Sequence, residues 1–265
     1  MTRFLIAPQW QGSPAARAML LVDGATAIAG DLPRRDTVTL DVPLEAGESL
    51  DTGVHRLSSL LRVREQVREA WQPDTVVIGG DCSVTVHALS ALESTDDLAV
   101  LWCDAHPDLN DPDSSPSGAF SGMALRAVLG EGEPRLALSP GLPRSRVVVL
   151  GARNLDPDET TQLSGVATID PDEADAETVT AALRATGATR VWVHIDVDVL
   201  DPAEFEGVSS PAPFGITAAA LTAAIKGLRS EFPLAGATIA GFAPRSPVDA
   251  VRDMGTVLRL IGAVA

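Results

Sequence analysis

The sequence predicts an α/β fold in which a mostly parallel sheet is covered by helices on both faces. Two observations carry this. Short β-branched apolar runs alternate with Ala/Leu/Arg/Glu-rich stretches of helical spacing along the whole chain. The apolar runs are also continuous, as strands buried on both faces require. The predicted strands are residues 75–78 (TVVI), 98–102 (LAVLW), 147–150 (VVVL), 191–195 (VWVHI) and 237–239. Helices are expected over 53–71, 83–93, 119–129, 174–186 and 217–231. The Pro-rich stretch 31–51 is read as a strand at 37–40 flanked by loops.

With 265 residues, 45% of them hydrophobic, the chain can bury a large core as a single domain spanning 1–265. There are 36 acidic against 20 basic residues, a net charge of −16, so no nucleic-acid partner is expected. Such a surface favours solubility and attracts cationic ligands. Two cysteines, Cys82 and Cys103, form no disulfide framework. The first residues lack a long apolar leader segment, and no run approaches the roughly 20 apolar residues that span a bilayer. A cytoplasmic protein without a membrane partner is the expectation.

In open α/β sheets, ligands bind beyond the carboxyl ends of the strands. Three apolar runs end in similar chemistry there. TVVIGGDCS (75–83) turns on two glycines before Asp81 and Cys82. LAVLWCDAHPDLN (98–110) carries Asp104, His106 and Asp108 at i, i+2 and i+4, the spacing that shares one face of an extended segment. VWVHIDVDVLDP (191–202) carries Asp196 and Asp198, with His194 in phase. Converging carboxylates repel one another unless some take up protons or a cation sits among them. Oxygen donors plus imidazole suit a divalent ion such as Mn²⁺, and shared carboxylates suit two ions about 3.5 Å apart with a bridging hydroxide as nucleophile. The loops 110–118 and 201–216 follow these clusters and are read as functional.

GGDCS, WCDAHPDLN, SGAFSGM and HIDVDVLDP stand in the order seen in arginases, agmatinases and formiminoglutamases, and SPAPFGIT (210–217) resembles that family's loop before its next helix. The chain therefore resembles a divergent member of the ureohydrolase family from about residue 75 to 244. The resemblance implies a three-layer α/β/α fold, two Mn²⁺ ions, and hydrolysis of a guanidino, amidino or formimino C–N bond of a small molecule. Asp104, Asp108, Asp196 and Cys82 would hold one ion. Asp104, His106, Asp196 and Asp198 would hold the other, and Asp108 would orient the hydroxide. Asn110, Ser117 and Ser121 are the expected contacts to a cationic or amide-like substrate. The resemblance also implies a homo-oligomer.

Three departures stand out. The family has histidine where this chain has Cys82, and a thiolate tilts the site towards Zn²⁺ or Fe²⁺, or towards a single ion. Cys103 faces the other side of its strand and is read as core. Ser121 replaces a histidine that moves protons in arginases, and Gly241 replaces an acidic residue that meets the guanidinium group. His194 is a candidate to replace part of the lost base, although a supporting or core role is the favoured reading for it; Asp108 is the other expected catalytic group. Against the enzyme stands a non-catalytic relative with a degraded site. A zinc amide deacetylase is disfavoured because no His-His pair occurs.

Overall fold

A computed structural model describes residues 2–265. Eight strands form one sheet: β1 (Arg3–Ile6), β2 (Thr37–Thr39), β3 (Thr75–Ile78), β4 (Leu98–Cys103), β5 (Val147–Leu150), β6 (Ala167–Ile169), β7 (Arg190–Asp196) and β8 (Leu234–Ala240). The order is β2-β1-β3-β8-β7-β4-β5-β6, and every pairing is parallel. The helices are α1 (Leu20–Asp31), α2 (Leu57–Ala70), α3 (Ser83–Leu89), α4 (Ala124–Val128), α5 (Glu159–Gln162), α6 (Ala176–Ala185), α7 (Ala218–Arg229) and α8 (Pro247–Val264).

Alternation along the strands divides the interior into two cores. Phe4, Ile6, Ile78, Leu101, Val193 and Ile239 pack with apolar residues of α1, α6, α7 and α8. Leu5, Val77, Val100, Trp102 and Trp192 face the other way, against α2, α3 and α4. The expected three-layer α/β/α architecture is therefore present. A fully buried side chain such as Ile78 or Val193 contributes about 1.5–3 kcal/mol over its exposed state. Cys103 lies in the first core, as expected.

The expected strands are all found, some longer than the apolar run. The expected helix over 119–129 is shorter and split: a 3-10 turn (Phe120–Met123) precedes α4. Parallel strands place all eight carboxyl ends on one edge of the sheet. Gly79 and Gly80, at φ 95° and 77°, turn the chain off β3 in a region that other residues avoid, and a Cβ on Gly79 would overlap that of Ala25 on α1. Among the described residues no helix is long and apolar enough to cross a membrane.

His87 on α3 is fully buried, with Nε2 3.0 Å from Gln9 Oε1 and Nδ1 unbonded among the described residues. Burial, then the Arg64 guanidinium, lowers its pKa to about 3. The unfolded chain, with a histidine pKa of about 6.5, therefore takes up this proton more readily than the folded chain. The resulting stability is present above about pH 6.5 and is lost as the pH falls towards about 3, at most about 1.4 kcal/mol per pH unit. Urea unfolding at pH 7, 5 and 4 should show a shallower acid-side decline in His87→Gln than in the parent chain. Equal slopes would remove His87 as the cause.

Candidate metal centre

Each strand end uses its first carboxylate to close a local turn. Asp81 Oδ1 accepts from Ser83 N (3.1 Å), Asp104 Oδ1 from His106 N (2.7 Å), and Asp196 Oδ1 from Asp198 N (2.9 Å). In each case the side chain of residue i holds the amide of i+2, which is how Asp terminates extended chain. The device corrects the expected geometry. β4 ends at Cys103, and Asp108 sits at φ 51°, so Asp104, His106 and Asp108 do not line one face of an extended segment. Likewise Asp198 lies in the 3-10 turn Val197–Val199 after β7. The acidic residues converge because their loops curl back over the sheet edge.

Asp81 also accepts from Gly12 N (2.9 Å) and Gln9 Nε2 (3.1 Å), tying the loop after β1 to the end of β3. Cys82 starts α3, but its sulfur does not cap the helix. It points instead at Asp196 Oδ2 (3.1 Å) and Asp104 Oδ2 (3.6 Å). His106 Nδ1 lies 3.1 Å from Asp198 Oδ2 and 3.4 Å from Asp104 Oδ1. Asp198 Oδ1 accepts from Ala105 N (3.2 Å). Asp104, Asp108, Asp196 and Asp198 are all buried. Asp108 Oδ2 has no hydrogen-bond partner among the described residues.

These carboxylates shape each other's protonation. Burial first, then the neighbouring acids, pushes Asp108 and Asp196 well above the usual carboxylate range, and Asp198 to about 6. Burial acts on Asp104 in the same sense, but the imidazoles of His106 and His194 outweigh it and hold that carboxyl low. Burial works against the charged form of His106, yet Asp104 and Asp198 draw its pKa up to about 12. Burial and then four carboxylates, led by Asp108, keep the Cys82 thiol protonated. No arginine or lysine among the described residues pairs with Asp104, Asp108, Asp196 or Asp198. Arg153, on the adjoining loop, instead donates to the carbonyls of Gly151, Asp198, Leu200, Ala212 and Pro213. The field that raises His106 would equally favour a divalent cation. Two groups have ligand atoms close enough to share an ion: Asp104, His106 and Asp198, and Cys82, Asp104 and His194. The donor set and the unpartnered Asp108 oxygen fit a bound metal.

A cavity of about 390 Å³ opens over this cluster, lined by Cys82, His106, Asp108, Asp196 and Asp198. Asn110, Ser117 and Ser121 also line it. Asn110 is already engaged, donating to Asp156 Oδ2 (2.8 Å) and accepting from Ser114 Oγ (3.0 Å). A wider surface groove of about 670 Å³ lies beside it between Arg153 and Phe214, but none of Asp104, Asp108, Asp196 and Asp198 lines that groove. His194, a candidate base for which a supporting or core role is the favoured reading, lies outside the cavity lining and behind Asp104. It is fully buried, its ring is 3.8 Å from that of Trp102, and its Nδ1 is 2.7 Å from Thr85 Oγ1. Burial, partly offset by Asp104, lowers its pKa.

Gly241, just past β8, has φ 82°, and a Cβ there would collide with the Asp196 carboxylate. The missing acidic side chain is thus accompanied by a backbone that leaves no room for one. Sequence reasoning passed over Asn154, Asp156 and Glu159, which also line the cavity. Asn154 Nδ2 lies 3.0 Å from His106 Nε2, and Glu159 accepts from the amides of Leu109 (2.9 Å) and Asp156 (2.9 Å). Their signal was the segment RNLDPDE directly after the apolar run 147–150, another strand end by the same rule.

The Arginase family model matches residues 18–256. The N(omega)-hydroxy-L-arginine amidinohydrolase of Streptomyces lavendulae is 30% identical over 268 residues, covering 96% of this chain and 94% of that one. The arginase of Bacillus subtilis (strain 168) is 32% identical over 201 residues, 71% of this chain and 67% of that one. Among solved structures, the arginase of Bacillus caldovelox superposes with a TM-score of 0.83 at 26% identity, covering 99% and 98% of the two chains. With a family model matched along nearly its whole length and a relative aligned almost end to end, this chain belongs to the arginase family.

Proposed function

We propose that the chain is a metal-dependent amidinohydrolase that cleaves a C–N bond, other than a peptide bond, in a guanidino or amidino small molecule. The observation that carries this is the meeting of Asp104, Asp108, Asp196 and Asp198 with His106 beneath one cavity, with no arginine or lysine paired to the four acids among the described residues. The names of the relatives, arginase and N(omega)-hydroxy-L-arginine amidinohydrolase, point the same way. A purely binding role offers no reason to keep mutually repelling carboxylates together.

In this reading Cys82, Asp104, Asp108 and Asp196 hold one ion, while Asp104, His106, Asp196 and Asp198 hold a second. Mn²⁺ suits the oxygen-rich set, and Zn²⁺ or a single ion is the alternative that Cys82 introduces. Divalent ions bound here supply Lewis acidity that brings the pKa of water towards neutrality. Asp108 is suited to take a proton at Oδ2 from the attacking water and pass it to the departing nitrogen, because that oxygen has no other partner in the protein. Asn154 holds His106 by its far nitrogen, and Glu159 fixes the amide of Leu109 beside Asp108. Asn110, Ser117 and Ser121 offer polar contacts to the substrate, and Asp156 adds charge suited to a cationic one. A reducing cytoplasm is the setting that keeps a thiol ligand competent at Cys82.

Protein loaded with Mn²⁺ or Zn²⁺ should release urea or ammonia from at least one member of a guanidino panel, and chelation should abolish it. Metal-loaded protein inert across the panel would overturn the catalytic reading. Asp104→Asn should lower kcat/KM by at least about 100-fold and reduce bound metal.

Gly241→Glu, which restores the family's acid, should not raise activity. It should lower stability by about 1–2 kcal/mol from the backbone alone and reduce metal content by displacing Asp196. Thermal melting and elemental analysis read both effects. An unchanged Tm together with raised activity would contradict the steric argument.

A further inference from the structure

We propose that His194 supplies the imidazole that Cys82 does not, so that Cys82, His194 and Asp104 form a sulfur–nitrogen–oxygen site selective for Zn²⁺ over Mn²⁺. This rests on the reading that the cluster binds a metal at all. It goes further by adding a ligand from within the sheet and by assigning the ion.

Donor spacing is the first support. Cys82 Sγ and His194 Nε2 lie 3.6 and 3.7 Å from the same atom, Asp104 Oδ2. All three ligand atoms fall within 4.8 Å of one another. Around a tetrahedral zinc, with Zn–S of about 2.3 Å and Zn–N or Zn–O of about 2.0 Å, neighbouring donors stand roughly 3.3–3.6 Å apart. The side chains are thus close to their ligating separations. Asp196 Oδ2, 3.1 Å from the same sulfur, is the next oxygen within reach.

The state of His194 is the second support, and it is independent of the cysteine. The ring is fully buried and Nε2 has no hydrogen-bond partner among the described residues, although it faces Asp104. A proton on Nε2 would be a buried donor 3.7 Å from a carboxylate, beyond hydrogen-bond reach. A proton on Nδ1, donated to Thr85 Oγ1 at 2.7 Å, would leave a bare lone pair facing a carboxylate. A cation between Nε2 and Asp104 resolves the second case. Metal-bound histidines are commonly held in this way, by a hydrogen bond on the nitrogen that does not bind the ion. Trp102, stacked on the ring, fixes its plane. The imidazole expected at the start of α3 has in effect moved to β7, one residue pair below Asp196 on the same face of that strand.

Thiolate and imidazole together favour Zn²⁺, whereas Mn²⁺ prefers oxygen donors. The test is X-ray absorption at the zinc edge of the full-length protein, stripped by chelation and reloaded with one equivalent of Zn²⁺. One sulfur and one imidazole are expected in the zinc shell. Sulfur without imidazole would remove His194 from the site. Imidazole without sulfur would place zinc with His106 and overturn the proposal while leaving the metal-dependent reading intact. Failure to bind zinc or manganese at all would overturn both. His194→Gln should weaken zinc binding by at least about 10–100-fold. Cys82→His should shift the competition between the two ions towards Mn²⁺. Unchanged zinc affinity in His194→Gln would overturn the assignment, and the absorption measurement on the parent chain decides the question even where that variant does not fold.

Discussion

Mutual repulsion among buried carboxylates is the constraint around which this molecule is arranged. Asp104, Asp108, Asp196 and Asp198 are buried close together beneath one cavity, without arginine or lysine partners among the described residues. Folding alone gives no reason to gather them. The sheet tolerates the cluster because its two cores supply the stability, and because each strand end hands part of its charge to a backbone amide. His106, poised between Asp104 and Asp198, takes up what remains. A site built this way is a receptor for positive charge before it is anything else.

That arrangement separates the parts of the family chemistry that this chain keeps from those it changes. The carboxylates lie on loops pinned by the parallel sheet. The residues proposed to meet substrate, Asn110, Ser117 and Ser121, lie on the connection after β4 and line the cavity. Ser121 is a change of the second kind, whereas Gly241 sits directly at the end of β8, where its backbone holds a conformation closed to other residues. Cys82 is a change of the first kind, because it alters the donor set. Behind it, His194 Nε2 has no hydrogen-bond partner among the described residues.

Much of the architecture was legible because buried parallel strands must be apolar throughout, which makes runs such as TVVI and VVVL visible. The short edge strand β6 has two exposed residues in three, so it carried no such signal. Helix α8 was overlooked although Ser246 and Pro247 announce its start, with Ser246 Oγ accepting from Asp249 N (3.2 Å). β1 and α1 lie ahead of the recognisable motifs. The acidic residues were legible as a set because each follows a strand, but their geometry was not. Strand alternation was the wrong rule once Asp104 and Asp196 bent the chain through their own side chains.

By itself, then, the sequence determined the fold class, the sheet edge that carries the chemistry, and the residue types gathered there, since all of these follow from local pattern and chain order. Only tertiary structure decided what those residues touch. It turned Asp81 to the loop after β1, brought Asn154, Asp156 and Glu159 across from β5, denied Gly241 room for a side chain, and set His194 behind Asp104 with one nitrogen bound and the other free. Contacts between segments a hundred residues apart depend on how strands are ordered in the sheet, and that order is a property of packing that no local spacing encodes.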